Sequence, residues 1–204
     1  MEKCNRRIVC ILFILLALFI TENPSAWCAN VTAFGNPMKS EPGKNTTIPE
    51  FELPMPRNEQ EKHYLGLSGS GNFTIGQIKA QVLIIEVYSF YCPHCQRSAD
   101  RVNELYQKIQ ERPDIRGKIK MIGIAVTNSA YEVDAYREKY SVPFPLFSDQ
   151  NIEISDKLGV KGTPTFIGIN LNDKGLSERF YFGEGGFEDA QQFLTKIIEL
   201  SGLK

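Results

Sequence analysis

The sequence predicts an α/β fold, a mixed central sheet with helices on both faces, and three observations carry that expectation. Two near-continuous apolar runs rich in β-branched residues, Val82–Ser89 (VLIIEVYS) and Ile119–Thr127 (IKMIGIAVT), have the composition of strands buried on both faces. Between them, Ala99, Val102, Leu105, Tyr106 and Ile109 recur at helical spacing. The C-terminal part then offers strand, turn, strand and an amphipathic helix, so the alternating pattern closes on a hairpin.

The chain has 204 residues, enough for one domain, and 42% of them are apolar, enough for a sizeable core. Lys and Arg number 23 against 24 Asp and Glu, a balance with no basic footprint for nucleic acid. Residues 1–28 stand apart as an expected signal peptide. Lys3, Arg6 and Arg7 precede thirteen uninterrupted apolar residues, Ile8–Ile20, and Thr21, Glu22, Asn23 and Pro24 end the run. A membrane-spanning helix needs about 20 such residues, so the segment has the proportions of an export signal. Ala26 and Cys28 place small residues where a signal peptidase reads, which gives a mature start at Ala29. A retained N-terminal membrane anchor is the rival, and lipidation of Cys28 is disfavoured by the bulky Trp27 before it. Of five cysteines, the exported chain keeps Cys92 and Cys95 in an oxidising compartment.

Residues 29–47 are rich in Asn, Thr, Pro, Gly and Ser and predict a flexible linker, with the folded domain over 48–204. Within it, Phe51–Pro56 predicts a short strand and Thr74–Lys79 a short helical piece. The run Val82–Ser89 is the first buried strand. The helix after it is stopped by Pro113, and Ile119–Thr127 is the second. Ser129 and Glu132 fit a capping box that opens a helix to Tyr140. Pro145–Ser148 predicts a strand, Ile152–Leu158 a helix, Thr165–Ile169 a strand, Asn172–Gly175 a turn, Glu178–Phe182 a strand and Phe187–Leu200 the last helix.

Cys92-Pro93-His94-Cys95 lies between a buried strand and the start of a helix. Thiol–disulfide exchange favours that position, because the thiolate attacks and a helix N-terminus stabilises it. Pro93 suits the first helical turn, where its missing N–H would have been unpaired. Three other chemistries fit less well. A zinc site needs two further ligands, and beyond the motif the exported chain has no other cysteine and only one other histidine, His63, which has the surroundings of a surface residue. Covalent haem attachment requires histidine where Gln96 stands. An inert disulfide closing so short a loop would constrain the chain little.

The stretch VLIIEVYSFYCPHC resembles the active-site region of the thioredoxin superfamily, and GVKGTPTFIGI resembles its second signature. The resemblance covers about residues 48–204. It implies a thioredoxin fold in which Cys92 is the nucleophile and Cys95 the resolving cysteine. Seventy-two residues separate Cys92 from Pro164, which makes room for an extra strand–helix insertion at Ile119–Tyr140 that minimal thioredoxins lack. With IPEFELP upstream, this spacing is similar to the exported TlpA/ResA-like thiol–disulfide oxidoreductases. The peroxiredoxin signature, by contrast, requires threonine where Ser89 stands.

Further roles follow from the resemblance. Glu86, six residues before Cys92, matches the family's buried acid, which takes the proton of the resolving cysteine. Independently, burial would raise its pKa towards neutrality. Pro164 matches the cis-proline facing the dithiol, and Thr163 with it offers backbone to an extended substrate. The Pro93-His94 pair matches that of DsbA-type oxidases, where the histidine stabilises the first thiolate and makes the disulfide more oxidising. Tyr88, Phe90 and Tyr91 are expected in the core and at the rim. The implied activity needs no cofactor and no metal. Its partners are substrate proteins with cysteines or disulfides and an upstream redox protein, with no nucleic acid. The implied setting is the bacterial periplasm, and for many relatives the substrate is an apocytochrome c awaiting haem. Reductase is the expected direction. A DsbA-like oxidase and a non-catalytic scaffold are the alternatives, the latter weakened by the presence of both cysteines.

Overall fold

Strand β4 (Val82–Tyr88) is buried along its whole length. It pairs parallel with β5 (Ile119–Val126) on one side and antiparallel with β7 (Thr165–Leu171) on the other. The computed structural model that contains it describes residues 46–172 and 177–203. The leader expected at 1–28, nearly all of the linker at 29–47 and most of the turn at 172–175 lie outside the described residues. Among the described residues no helix is long and apolar enough to cross a membrane.

The main sheet has six strands in the order β1-β8-β7-β4-β5-β6. Here β1 is Thr46–Thr47, β6 is Leu146–Asp149 and β8 is Ser177–Glu184. The sheet is mixed: β4, β5 and β6 run parallel, whereas β7, β8 and β1 pair antiparallel. Alternation along β4 splits the core into two layers. Val82, Ile84 and Tyr88 face α2 (Pro93–Gln110), α3 (Ala130–Tyr140) and α5 (Ala190–Ser201). Leu83, Ile85 and Val87 face α1 (Glu59–Leu65), α4 (Glu153–Leu158) and a two-stranded sheet of β2 (Glu52–Pro54) with β3 (Asn72–Thr74). Each such aliphatic side chain, fully buried, contributes about 1.5–3 kcal/mol. The strand and helix expected between the dithiol and Pro164 are β5 and α3. The latter opens on the expected box, with Ser129 N donating to Glu132 Oε2 at 2.7 Å.

Four expectations need correction. Regular pairing begins at Thr46, inside the expected linker, because Thr46 and Thr47 add to the edge of β8. Helix α1 was not expected; its seven residues, EQEKHYL, carry almost no apolar stripe, and Asn58 and Gly66 cap it instead. The helical piece at Thr74–Lys79 is the end of β3 followed by one 3₁₀ turn, Ile75–Gln77. The last helix starts at Ala190 rather than Phe187, since Asp189 Oδ1 accepts the Gln192 N–H at 2.7 Å. Phe187 instead stacks on Phe193, with centroids 4.4 Å apart.

Candidate active site

The chain leaves β4 at Tyr88 and enters α2 through Cys92, which is the helix N-cap, with Pro93 in the first turn. Cys92 Sγ accepts the Cys95 N–H at 3.2 Å and donates to Thr163 O at 3.3 Å. Both cysteines are free thiols, Cys92 half-buried and Cys95 buried. Partial burial pulls the Cys92 pKa up, but hydrogen bonds from the Cys95 side chain and from the backbone of Cys95 and His94 outweigh it, so the pKa ends below the ordinary thiol value. Cys95 goes the other way. Burial raises its pKa far above that of a free thiol, its contact with Cys92 raises it further, and the charge of Glu86 adds to the effect. The two thiols thus differ in kind, one with its pKa lowered and one with its pKa raised.

Glu86 is 2% exposed and points into the α2 layer. In the ladder it stands opposite Gly123 of β5 and Phe166 of β7, an apolar setting on both sides. Burial alone raises its pKa to about 8, into the range where it can exchange a proton near neutrality. The carboxyl expected from the sequence to be buried is buried, on the face of β4 that also carries Val82, Ile84 and Tyr88.

The Thr163–Pro164 bond is cis, as the resemblance implies. Beside it a cleft of about 410 Å³ opens at Cys92, lined by Tyr91, Thr127, Ile152, Lys161 and Thr163 among others. Thr127 and Ile152 both adopt positive φ, at 59° and 65°, which is unfavourable for β-branched residues. Ile152 occupies the N-cap of α4 without being able to cap it. Asp149 does so from upstream, its carboxylate accepting Ile154 N at 3.0 Å and Ser155 N at 2.8 Å. That arrangement leaves Ile152 40% exposed on the cleft wall.

His94 is exposed, and its ring pairs with Arg97, Nη2 to Nδ1 at 3.0 Å; its influence on Cys92 runs through its backbone. His63 is exposed on α1, as expected. Tyr88 is in the core, Phe90 is packed against its margin and Tyr91 is exposed. The sequence did not reveal what holds the loop before Cys92. Asn128 Oδ1 accepts Phe90 N at 2.8 Å, and Gln96 Nε2 donates to Phe90 O at 2.7 Å. Tyr91 Oη donates to Glu132 Oε1. Glu132 was legible only as a capping residue, and nothing in the sequence singles out Asn128. Among the described residues no three His, Cys, Asp or Glu side chains gather to hold a metal.

Known proteins resemble this chain in sequence and in fold. The chain is 22% identical over 94 residues to thiol-disulfide oxidoreductase ResA of Halalkalibacterium halodurans, covering 46% of this chain and 51% of the relative. A second ResA, from Bacillus thuringiensis, is 25% identical over 119 residues, covering 58% and 65%. The chain therefore spans about half to two thirds of the length of these curated relatives. A crystal structure of a putative thiol:disulfide interchange protein DsbE from Chlorobium tepidum superposes with a TM-score of 0.58 at 16% identity, over 78% of this chain and 97% of that one. That likeness shows the thioredoxin-like fold expected from the two motifs. Residues 45–182, from the edge strand through most of the closing hairpin, match the model of the AhpC/TSA family, and the chain belongs to that family.

Proposed function

We propose that the chain is an exported thiol–disulfide oxidoreductase that acts on cysteines of other proteins through Cys92 and Cys95. The observation that carries this is the asymmetry of the pair: a half-buried thiol with a lowered pKa at the mouth of a cleft, beside a buried thiol with a raised one. The Cys92 thiolate attacks a substrate disulfide, one substrate sulfur leaves as thiolate, and a mixed disulfide forms. Cys95 then gives its proton to Glu86 and attacks Cys92 Sγ, and the second substrate sulfur leaves. The enzyme ends as the Cys92–Cys95 disulfide and the substrate has gained two electrons. An upstream redox protein resets the dithiol.

Thr163 and Pro164 bind the extended substrate, and Pro93 and His94 tune the potential. The segment 1–28 supports export to an extracytoplasmic compartment, with the first 28 residues as leader and the fold beginning at the edge strand Thr46–Thr47. The reductase direction is favoured by Glu86, which disfavours the thiolates and removes the proton released on exchange. The cysteine pair of an apocytochrome c is the substrate that the TlpA/ResA resemblance suggests. The lowered pKa of Cys92 favours a second reading, a disulfide-forming oxidase, because a stabilised thiolate stabilises the reduced form.

A Cys95→Ser variant should trap mixed disulfides through Cys92. Trapping in Cys92→Ser with none in Cys95→Ser would overturn the assignment. The reduction potential separates the two directions, near about −270 mV for a reductant and about −120 mV for an oxidant.

A further inference from the structure

Glu86 Oε1 and Tyr88 Oη are both buried and both without a hydrogen-bond partner among the described residues. Their residues are 2% and 0% exposed. Side chains two apart on a strand point the same way, here into the layer of Cys95 and Tyr136. An unpartnered buried polar group costs about 1–3 kcal/mol, and native interiors keep few of them. Two neighbours on one face therefore call for a shared reason.

Gly123 brings them together. It stands opposite Glu86 in the β4–β5 ladder, so the side chain it lacks is the one that would flank the carboxyl. A Cβ at Gly123 would lie 3.1 Å from Tyr88 Cε1. The Tyr88 ring thus lies over Gly123, the residue paired with Glu86. Tyr136 holds the ring in place, with centroids 4.4 Å apart, while its own hydroxyl donates to Cys95 O at 3.3 Å. The titratable groups facing Tyr88 are Glu86 on its own strand, Cys95 of α2, and Asp134, Tyr136 and Arg137 of α3. Arg137 is engaged elsewhere, donating to Phe144 O at 3.0 Å and pairing with Glu61 at 2.9 Å. Asp134 faces Arg57 at 3.5 Å. Of the two carboxyl groups among them, Glu86 is the buried one without a partner.

We propose that Tyr88 is the positioning residue of the proton acceptor: its hydroxyl donates a hydrogen bond, directly or through one water, to the Glu86 carboxylate when it forms, and so sets the pH at which Glu86 takes the proton of Cys95. The inference rests on the exchange cycle proposed above. Tyr88 keeps its own proton throughout. The proton moves from Cys95 Sγ to Glu86, and the electron pair left on Cys95 makes the new S–S bond. A hydrogen bond to the charged form favours that form, which opposes the burial of Glu86.

The test is Tyr88→Phe, which removes one oxygen and keeps the ring. In the reduced protein with ¹³C-labelled glutamate, the Glu86 titration midpoint should rise by at least about half a pH unit, a measurement that needs no substrate. The Cys95 resolving step at pH 7, in single turnover, should slow about threefold, the equivalent of half a unit, and its pH profile should move upward equally. On a Glu86→Gln background Tyr88→Phe should shift nothing. An unchanged Glu86 midpoint overturns the proposal, whatever happens to stability or rate. So does an equal shift in Tyr136→Phe, whose hydroxyl is committed to Cys95 O. A shifted midpoint in a protein that exchanges with no disulfide supports the role of Tyr88 and overturns the functional reading instead.

Discussion

The sulfur of Cys92 accepts the backbone N–H of Cys95 at 3.2 Å, so the turn that buries the second thiol is the same one that holds the charge of the first. Thiolate stabilisation and thiol burial are therefore one local structure, the first turn of α2.

Selective alkylation follows from that turn. At neutral pH iodoacetamide should modify Cys92 in the folded, reduced protein and leave Cys95 unlabelled until the chain is denatured, because the thiolate is the reactive form. Mass spectrometry of the digested protein reads the site directly. Equal labelling of both cysteines would show that the asymmetry is absent in solution.

Burial of Glu86 makes stability depend on pH. Its pKa is raised from 4.5 to about 8 in the folded chain, so between those values the folded state binds more protons than the unfolded one. Stability should therefore fall as pH rises from 4.5 towards 8 and level off above, by on the order of a few kcal/mol. Glu86→Gln should flatten this slope and be at least as stable as the parent at pH 8. Its exchange rate should nevertheless drop by about 10²-fold, the low end of general-base effects. Urea unfolding at a series of pH values is the check.

Asn128 supports the dithiol loop from across the sheet. Asn128→Ala leaves the Phe90 N–H without its acceptor and should cost about 1–3 kcal/mol. Faster amide exchange should be confined to the loop around Phe90–Cys92. Uniformly faster exchange would mean that the residue stabilises the fold as a whole.

Ile152 places a β-branched side chain in left-handed backbone on the cleft wall. Asparagine tolerates that conformation and is a favoured helix N-cap. Ile152→Asn should thus stabilise the protein by about 1 kcal/mol while raising the KM for a cysteine-bearing peptide several-fold with little change in kcat. Stabilisation with an unchanged KM would remove Ile152 from the substrate cleft.

The sequence by itself determined whatever is written within a window of one or two turns or a single strand. The apolar runs of β4 and β5, the helical stripe of α2 and the Ser129–Glu132 box are periodicities and end signals that neighbouring residues impose on the backbone. Glu86 was legible for the same reason, as the one carboxyl side chain in a strand buried on both faces. Where the local signal was weak, as in α1 with its seven mostly polar residues, or where a short segment added to a sheet edge, as in β1, the tertiary structure decided. It also decided the site's contacts. Cys92 meets Thr163 across 71 residues and Asn128 meets Phe90 across 38, and Tyr88 lies over Gly123 because β4 and β5 pair in one register. Such contacts depend on how the sheet closes and which strands become neighbours, a property of the packed whole that no short stretch of chain encodes.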